Sequence, residues 1–374
     1  MAREVKPNAT YGEIRRNPGE PMEWEKHRSP AYWDYRRKWS EYPRQGIVPD
    51  FPLCLDIETT NVCDLDCIMC PRTIMIARGS YGKVGYMDFD LFRRLIDQGA
   101  RYGLPSIKLN YLGEPLLHPD LPKQLRYAKA AGVLDTMFNT NATQLTEEKA
   151  HEVLEAGVDN IFFSVDSAYR EKYNAIRIGS DFDKVVANIV RFCEIKRKGS
   201  YRHVQTRVSL TVMENDLSEL EAFKDFWLEH VDVVGFGLYH DLDGIDSPYN
   251  PNFTCAQPFQ RMFVMWDGVT TPCCVDYERG YVTGDARTTD LKAVWDGPAY
   301  QRMREAQTTG RYKDIGICNK CYVPYTSLDG QVIAFEDVGR EARKAAEEQR
   351  MRSHTDANQE LPARAIRRKT KGRI

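Results

Sequence analysis

Short apolar runs alternate with amphipathic stretches through the middle of this 374-residue chain. Six apolar runs rich in branched and aromatic residues predict strands, at Leu53–Glu58, Ser106–Tyr111, Val133–Asn139, Val158–Asp166, His203–Met213 and Val231–Tyr239. Between them, apolar residues at helical spacing predict helices at Asp88–Ala100, Leu121–Ala131, Thr146–Ala156, Asp183–Lys198 and Leu217–Glu229. Strands that alternate with helices indicate an α/β fold with a parallel sheet and right-handed crossovers. Six such units are too few for a closed eight-stranded barrel.

The segments around this core differ from it in composition. Residues 1–50 are polar and aromatic, which predicts an N-terminal extension with one or two helices that packs on the main domain, residues 51–240. A cysteine-bearing module is predicted over 241–325, and its first part, residues 241–254, is a linker rich in Gly, Pro, Asp and Asn. Residues 326–374 are charged and low in apolar content, which predicts a disordered tail, with anion binding as the alternative.

Two elements are predicted inside the cysteine-bearing module. The run Phe263–Thr271 has an Asp-Gly pair between two apolar stretches and predicts a β-hairpin. Residues Asp290–Ala306 then predict one helix.

Charge and cysteine content narrow the class of protein. The 52 basic and 54 acidic residues leave a net charge of −2, so no global charge attracts nucleic acid or a membrane. The chain starts with no apolar run, so no signal peptide is predicted, and its longest apolar stretches are too short to cross a bilayer. Ten cysteines without an export signal predict metal ligation in a reducing cytoplasm rather than disulfides.

Three cysteines, Cys63, Cys67 and Cys70, lie within eight residues directly after the first predicted strand. A structural zinc site needs four ligands and usually contains C-x2-C pairs. Three thiolates on a short loop instead suit a 4Fe–4S cluster that keeps one iron open. Since active sites of β/α barrels lie at the carboxyl ends of strands, the position favours a functional cluster. Three unrelated thiols, or a metal site completed from afar, are the alternatives.

The C-x3-C-x2-C spacing resembles the signature of the radical S-adenosylmethionine (SAM) enzymes. The resemblance implies a partial (β/α)6 TIM-like barrel, which agrees with the six predicted strands. It also implies that the open iron chelates SAM, and that one-electron cleavage of SAM releases a 5′-deoxyadenosyl radical. An external one-electron reductant such as flavodoxin or ferredoxin would then be a partner, with no nucleic acid and no membrane.

The resemblance also implies SAM-binding residues near the cysteine loop and the second strand. Gly113 and Glu114 lie in a turn similar to the family's Gly-Gly-Glu-Pro motif, whose backbone and acid bind the SAM amino group. Leu112 stands in the place of the first glycine. Met69 stands where the family usually has an aromatic residue near the adenine.

Further SAM contacts are implied at the fourth and fifth strands. Ser164 or Asp166 would bind the ribose, although helix capping by Asp166 or Ser167 is an equal alternative. Arg177 would bind the SAM carboxylate, with a surface salt bridge as the alternative. Ser209 would contact adenosine, unless it points into packing.

Four later cysteines form a second candidate site, at Cys255, Cys273, Cys318 and Cys321. On spacing alone a four-cysteine zinc site is the first interpretation, although four thiolates also ligate a 4Fe–4S cluster. The run Gly268–Asp276 followed by C-x2-C is similar to the SPASM/twitch extensions of radical SAM enzymes. The resemblance implies a small twitch module, a β-hairpin plus a helix, with one auxiliary 4Fe–4S cluster, as in the 2-deoxy-scyllo-inosamine dehydrogenase type.

The cofactors imply hydrogen abstraction from a carbinol carbon of a sugar or aminocyclitol. Dehydrogenation to a ketone would send one electron to the auxiliary cluster, with His240 as the base unless it is merely a surface histidine. Epimerisation would instead use a thiol hydrogen donor, for which Cys274 is the candidate. Peptide modification, known among SPASM relatives, is a third enzyme hypothesis, and a zinc-ribbon binding protein is the non-enzyme one.

Overall fold

The computed structural model describes residues 11–17, 19–213, 216–239, 253–321 and 323–326. Its strands are β1 Tyr11–Arg15, β2 Cys54–Ile57, β3 Ser106–Lys108, β4 Asp135–Thr140, β5 Asn160–Ser164, β6 Gln205–Val212, β7 Val233–Leu238, β8 Arg261–Val264, β9 Val269–Thr271 and β10 Gly284–Asp285. Its helices are α1 Pro30–Gln45, α2 Pro71–Arg78, α3 Phe89–Ala100, α4 Leu121–Ala130, α5 Glu147–Glu155, α6 Arg170–Ile176, α7 Phe182–Lys198, α8 Leu217–Leu228, α9 Gln257–Gln260, α10 Leu291–Trp295, α11 Pro298–Thr308, α12 Gly316–Asn319 and α13 Val323–Thr326.

The six predicted strands form a parallel sheet in chain order, from β2 to β7, and this prediction is confirmed. The full sheet has the order β1-β7-β6-β5-β4-β3-β2-β8-β9-β10 among the described residues. The five predicted helices are present as α3, α4, α5, α7 and α8. The result is the predicted partial (β/α)6 barrel, with helices on the outer face of a curved sheet.

Side chains along each strand alternate between two environments because strand residues have a period of two. Leu55, Ile107, Phe138 and Val208 join the large apolar core under the helices. Their neighbours point to the opposite, concave face, which we call the lumen. Polar and charged side chains occupy many lumen positions, among them Asp56, Lys108, Asn139, Ser164, Arg207, Ser209 and Arg261.

The N-terminal extension contains the predicted helix and also a strand that was not predicted. β1 pairs antiparallel with β7. The buried guanidinium of Arg28, just before α1, pairs with Asp159 at 2.8 Å and lies over the ring of Tyr32 at 4.8 Å. The extension therefore covers the end of the barrel where the strands begin.

The cysteine-bearing module continues the barrel sheet. β8 pairs parallel with β2, and the predicted hairpin is present as β8 and β9. The single helix predicted over Asp290–Ala306 is wrong, since α10 ends before Gly297 and α11 begins at Pro298. Proline lacks the N–H that a continuous helix needs and fits the first helical position.

Two predicted segments fall largely or wholly outside the described residues. Of the predicted linker, only residues 253–254 are described, and of the predicted tail only Thr326 is. Among the described helices, none combines the length and apolar character that crossing a membrane requires.

Candidate active site and cluster sites

The loop of Cys63, Cys67 and Cys70 follows β2 and is held by backbone hydrogen bonds to the end of α6. The N–H groups of Asp66 and Ile68 donate to the carbonyls of Ile178 and Ile176, each at 3.0 Å. Cys67 is buried, whereas Cys63 and Cys70 are partly exposed. Met69 lies on the same loop and is partly buried.

Helix α2, which was not predicted, begins directly after Cys70 and braces the loop. Arg72 in its first turn donates from Nη1 to the carbonyl of Leu65 at 3.0 Å and to Asp66 Oδ1 at 3.1 Å. Its guanidinium also lies 5.5 Å from the centroid of the Tyr81 ring. The Arg72 charge partly offsets the effect of burial on the Cys63 thiol, because a cation favours the ionised form.

Two nitrogen donors approach the cysteine sulfurs. Asn141 Nδ2 lies 3.9 Å from Cys63 Sγ, and Arg177 Nη1 lies 3.8 Å from Cys67 Sγ. Burial raises the pKa of the Cys63 thiol to about 12 and that of Cys67 to about 11. Metal binding requires thiolates and releases their protons, so cluster binding at these thiols must overcome the effect of burial. Their assignment as cluster ligands stays a prediction.

Gly113 and Glu114 pack tightly against the start of the cysteine loop. A Cβ on Gly113 would lie 2.1 Å from the Thr60 carbonyl oxygen, so only glycine fits here. The N–H of Glu114 donates to the carbonyl of Val62 at 2.8 Å. The Gly-Glu-Pro turn thus fixes the loop relative to the end of β3.

The Glu114 carboxylate is 3% exposed and accepts three hydrogen bonds from the protein. The donors are Thr140 Oγ1 at 2.7 Å, the Asn141 N–H at 2.7 Å and the Leu116 N–H at 3.0 Å. Burial raises the pKa of Glu114 to about 7. The carboxylate therefore orients Asn141, whose side chain approaches Cys63, and a direct contact of Glu114 with SAM stays a prediction.

Asp166 and Arg177 form a buried ion pair, with 2.5 Å between Asp166 Oδ2 and Arg177 Nη2. The other carboxylate oxygen of Asp166 accepts from the Thr211 N–H at 2.7 Å. Asp166 has a φ of 64°, in the left-handed region. The surface salt bridge considered for Arg177 is therefore wrong. Helix capping by Asp166 is wrong too, because its carboxylate is bound to Arg177 and Thr211.

Two polar groups on this side of the site have no hydrogen-bond partner among the described residues. They are the buried Arg177 Nε and the buried hydroxyl of Ser209. Ser209 pairs in register with Ser164 on β5, so both hydroxyls lie on the lumen face. Buried unpaired donors are costly, and a polar ligand such as SAM would satisfy both. The residues present therefore fit the cofactor, and the individual contacts stay predictions.

The second cysteine set gathers around one apolar cluster. Cys255, Cys318 and Cys321 pack against Phe253, Tyr312 and Val323. The pKa of Cys273 is raised well above its usual value, first by burial and then by the other thiols of this set and by Cys274. Among the described residues, no three His, Cys or carboxylate side chains are close enough for one metal ion.

Gln307, fully buried, connects two of these cysteines and was not predicted. Its Oε1 accepts from the Cys255 N–H at 2.9 Å, and its Nε2 lies 3.8 Å from Cys318 Sγ. No local pattern marks this glutamine, because its partners lie far from it in the chain.

The loop of Cys273 and Cys274 contacts the barrel. The hydroxyl of Tyr111, just beyond β3, donates to the Cys274 carbonyl at 2.8 Å. The Cys274 side chain is exposed, yet it interacts electrostatically with the lumen residues Arg261 and Lys108. The Cys274 thiol therefore lies within electrostatic reach of two lumen cations. His240 lies outside the described residues.

Family models match two parts of the chain. The model described as the radical SAM superfamily matches residues 57–226, and the model described as an iron-sulfur cluster-binding domain, SPASM, matches residues 255–322.

Three curated relatives align with part of this chain, and about a third of the residues in the aligned part are identical. A tungsten-containing aldehyde ferredoxin oxidoreductase cofactor-modifying protein of Pyrococcus furiosus is 32% identical over 151 residues, 40% of this chain and 38% of the relative. A GTP 3′,8-cyclase of Chlorobaculum tepidum is 29% identical over 48% of this chain and 51% of the relative. An AdoMet-dependent heme synthase of Methanosarcina barkeri is 31% identical over 45% of each chain. The chain thus spans about half or less of the length of these three relatives.

Two solved structures share the fold. Native anSMEcpe with bound AdoMet superposes with a TM-score of 0.56 at 15% identity, over 79% of this chain and all of that one. BtrN in complex with AdoMet and 2-DOIA gives a TM-score of 0.50 at 16% identity, over 73% of this chain and 94% of that one.

The fold, the cysteine loop and both family matches define a radical SAM enzyme with an auxiliary iron-sulfur module. Residues 57–226 form a radical SAM domain, and residues 255–322 form a SPASM-type domain after the barrel. Its cofactors are SAM and two 4Fe–4S clusters. The zinc interpretation of the later cysteines is therefore wrong.

Proposed function

We propose that this radical SAM enzyme oxidises a carbinol carbon of a sugar or aminocyclitol to a ketone. When bound, the cofactors would supply two functions: a 5′-deoxyadenosyl radical from SAM to remove the carbinol hydrogen atom, and an auxiliary cluster to accept the second of the two electrons that the oxidation releases. The chain's own residues hold the substrate in the lumen and exclude water from it.

One observation carries this proposal: the auxiliary cysteine loop borders the lumen. Tyr111 at the end of β3 binds the Cys274 carbonyl, and Cys273 precedes it in the chain. A substrate in the lumen would therefore lie between the two cysteine sites. This position suits the transfer of one electron from a substrate radical toward the SPASM domain.

The polar lumen supports a hydroxylated small molecule. Side chains such as Asn139, Ser164 and Ser209 line it, and hydroxyl groups bind to such donors and acceptors. The curated relatives are named for acting on GTP, heme and a cofactor, which also supports small-molecule chemistry. BtrN binds AdoMet and 2-DOIA together in the same fold, so this architecture can hold a small molecule beside SAM.

Release of the hydroxyl proton needs a base. His240 follows β7 in the sequence and stays our proposed base. The histidine lies outside the described residues, so the proposal rests on its position in the sequence alone.

Epimerisation is the second candidate, and one specific observation favours it. The Cys274 thiol is exposed and lies within electrostatic reach of the lumen cations, which supports it as a donor that returns a hydrogen atom to a substrate radical. The auxiliary cluster favours dehydrogenation, because epimerisation exports no electron.

Anaerobic turnover with a panel of sugars and aminocyclitols tests the proposal. Substrate-dependent 5′-deoxyadenosine and a product two mass units lighter support dehydrogenation. A product of unchanged mass that gains one deuterium in deuterated water supports epimerisation and contradicts our first choice.

Cysteine variants sharpen the same experiment. Cys274→Ala retains activity in a dehydrogenase and stops product formation in an epimerase, while 5′-deoxyadenosine still forms. Cys193→Ala is the matched control, because Cys193 lies on α7 and is buried among core residues.

A further inference from the structure

Three cationic side chains enter the lumen from separate strands: Lys108 on β3, Arg207 on β6 and Arg261 on β8. Each alternates with neighbours that belong to the apolar core, such as Ile107, Val208 and Met262. Arg261 and Arg207 both influence the ionisation of Lys108, so the three charges act on one region.

Two of the three cations have a carboxylate partner. Arg261 Nη1 lies 3.3 Å from Asp56 Oδ2, and this carboxylate is almost fully buried. Arg207 Nη1 lies 2.6 Å from Glu13 Oε1, which β1 brings to the edge of the lumen. The Arg207 guanidinium also lies over the Phe162 ring, 3.9 Å from its centroid. Both arginines are thus fixed in position before any substrate binds.

Lys108 is the cation that remains. Within the part of the chain that the structure describes, its ammonium has no hydrogen bond and no carboxylate at ion-pair distance. Asp56 lies directly opposite it in the β2–β3 ladder but is bound by Arg261. Burial lowers the pKa of Lys108, which is the expected response of a cation without a partner. An isolated charge in such a place is costly unless an anion joins it.

Lys108 is also in the right place to contact a substrate. It is only partly buried, and it interacts electrostatically with the exposed thiol of Cys274. The position therefore lies between the barrel strands and the auxiliary cysteine loop. A molecule in this part of the lumen would lie beside the ammonium group and near the two arginines.

We propose that the lumen binds an anionic group of the substrate, a phosphate ester or a carboxylate, through Lys108 with Arg207 and Arg261 beside it. This inference rests on the proposed function and narrows its substrate class. An acidic or phosphorylated sugar fits the three cations, whereas the ammonium of an aminocyclitol is repelled by them.

Calorimetry on the reconstituted holoenzyme with SAM tests the inference, without reductant so that no turnover occurs. Glucose 6-phosphate and glucuronate are compared with glucose and glucosamine, which share one ring and differ in charge. Inorganic phosphate and acetate, which have no sugar ring, show whether the site prefers a phosphate or a carboxylate. We expect an anionic probe to bind at least about tenfold more tightly than its neutral counterpart, since a charged hydrogen bond contributes that much.

Variants assign this preference to Lys108. Lys108→Met should abolish the preference for anions, and Lys108→Arg should restore much of it while SAM binding stays unchanged in both. Lys198→Met is the matched control, because its side chain is 81% exposed at the outer end of α7. Equal binding of charged and neutral probes, including no binding of either, overturns the inference, as does an unchanged preference in Lys108→Met.

The outcomes separate this inference from the proposed function. If a neutral sugar or an aminocyclitol drives 5′-deoxyadenosine formation equally in the wild type and in Lys108→Met, the anion site is wrong and the carbinol chemistry stands. If anions bind through Lys108 but no sugar yields a ketone or an epimer, the anion site stands and the proposed function is wrong.

Discussion

The hydroxyl of Tyr111 donates a hydrogen bond of 2.8 Å to the backbone carbonyl of Cys274. This contact joins the end of a barrel strand to the loop of the auxiliary cysteines, 163 positions later in the chain. The ring of Tyr111 also packs edge-on against Phe263 of β8, with 5.4 Å between ring centroids. The two cysteine sites are therefore held at a defined separation across the lumen.

Tyr111→Phe should keep the ring packing and remove only the hydrogen bond. The expected cost is about 1 kcal/mol, measured as a Tm lower by about 2 °C in the anaerobic holoprotein. Tyr102→Phe, at an exposed ring stacked on Phe51, is the control. We expect unchanged iron content in both variants, and a loss of half the iron in Tyr111→Phe would show a larger role for this contact.

Removing the first cysteine set tests the assignment of cluster ligands. The wild type should bind about eight iron atoms after anaerobic reconstitution, as two four-iron clusters require. The triple variant Cys63→Ala, Cys67→Ala and Cys70→Ala should retain about half of this iron and lose SAM cleavage, because the later cysteines remain. Retention of all the iron would contradict the assignment.

Arg177→Met should weaken SAM binding. Arg177 is buried, its Nε has no hydrogen-bond partner among the described residues, and its Nη1 approaches Cys67. Loss of a charged hydrogen bond costs roughly 1.5–3 kcal/mol, which corresponds to a SAM dissociation constant about ten- to a hundredfold higher. Equilibrium dialysis with reconstituted protein measures this effect.

The control for Arg177 is Arg170→Met on the same helix region. Arg170 is 63% exposed and pairs with Asp183 on the surface, so its loss should leave SAM affinity unchanged. Equal affinities in both variants, at equal iron content, would mean that Arg177 only orders the loop through Asp166.

Because of the buried carboxyl of Glu58, we expect the free energy of unfolding to depend on pH. Burial raises the pKa of this carboxyl to about 7, although the N–H groups of Trp266 and Leu112 donate to it. Arg279 and Asp267 are the charged groups that act on it. Between about pH 4.3 and 7 the folded protein holds a proton that the unfolded chain has released. Stability should therefore fall as pH rises through this window.

In the wild type, the free energy of unfolding should fall between pH 5 and 8 because of Glu58. Glu58→Gln should reduce this fall by at most about 3 kcal/mol. Thermal unfolding of holoprotein at several pH values measures it, with the exposed Glu155→Gln as the control. If the stability of the wild type and that of Glu58→Gln depend on pH in the same way, Glu58 is not the group responsible.

Much of the barrel could be predicted from the sequence because its signal is local. The apolar runs that became β2 to β7 and the spacing of Cys63, Cys67 and Cys70 are visible within short windows. β1 was missed because Tyr11–Arg15 is mostly polar, and only the free edge of β7 makes it a strand. Such tertiary effects override local propensity.

Parts of the candidate site were missed for the same reason. Gln307 matters through Cys255 and Cys318, and its role depends on contacts made only after folding. Lys108 did carry a signal, since it is a single charge in an otherwise apolar strand, but the strand pattern alone does not reveal which face it occupies or that Asp56 is already bound.

The place of β8 beside β2 also affects how the chain folds during synthesis. Arg261 and Asp56, which meet across this strand pair, are 205 positions apart. Until residues 261–264 leave the ribosome, β2 presents a row of unpaired N–H and C=O groups, a template for aggregation. Contacts so distant in the chain form slowly, because loop closure costs entropy before they stabilise anything. The barrel is thus completed only by the module that follows it in the chain. A nascent chain stalled before that point keeps an unpaired strand edge that chaperones must cover.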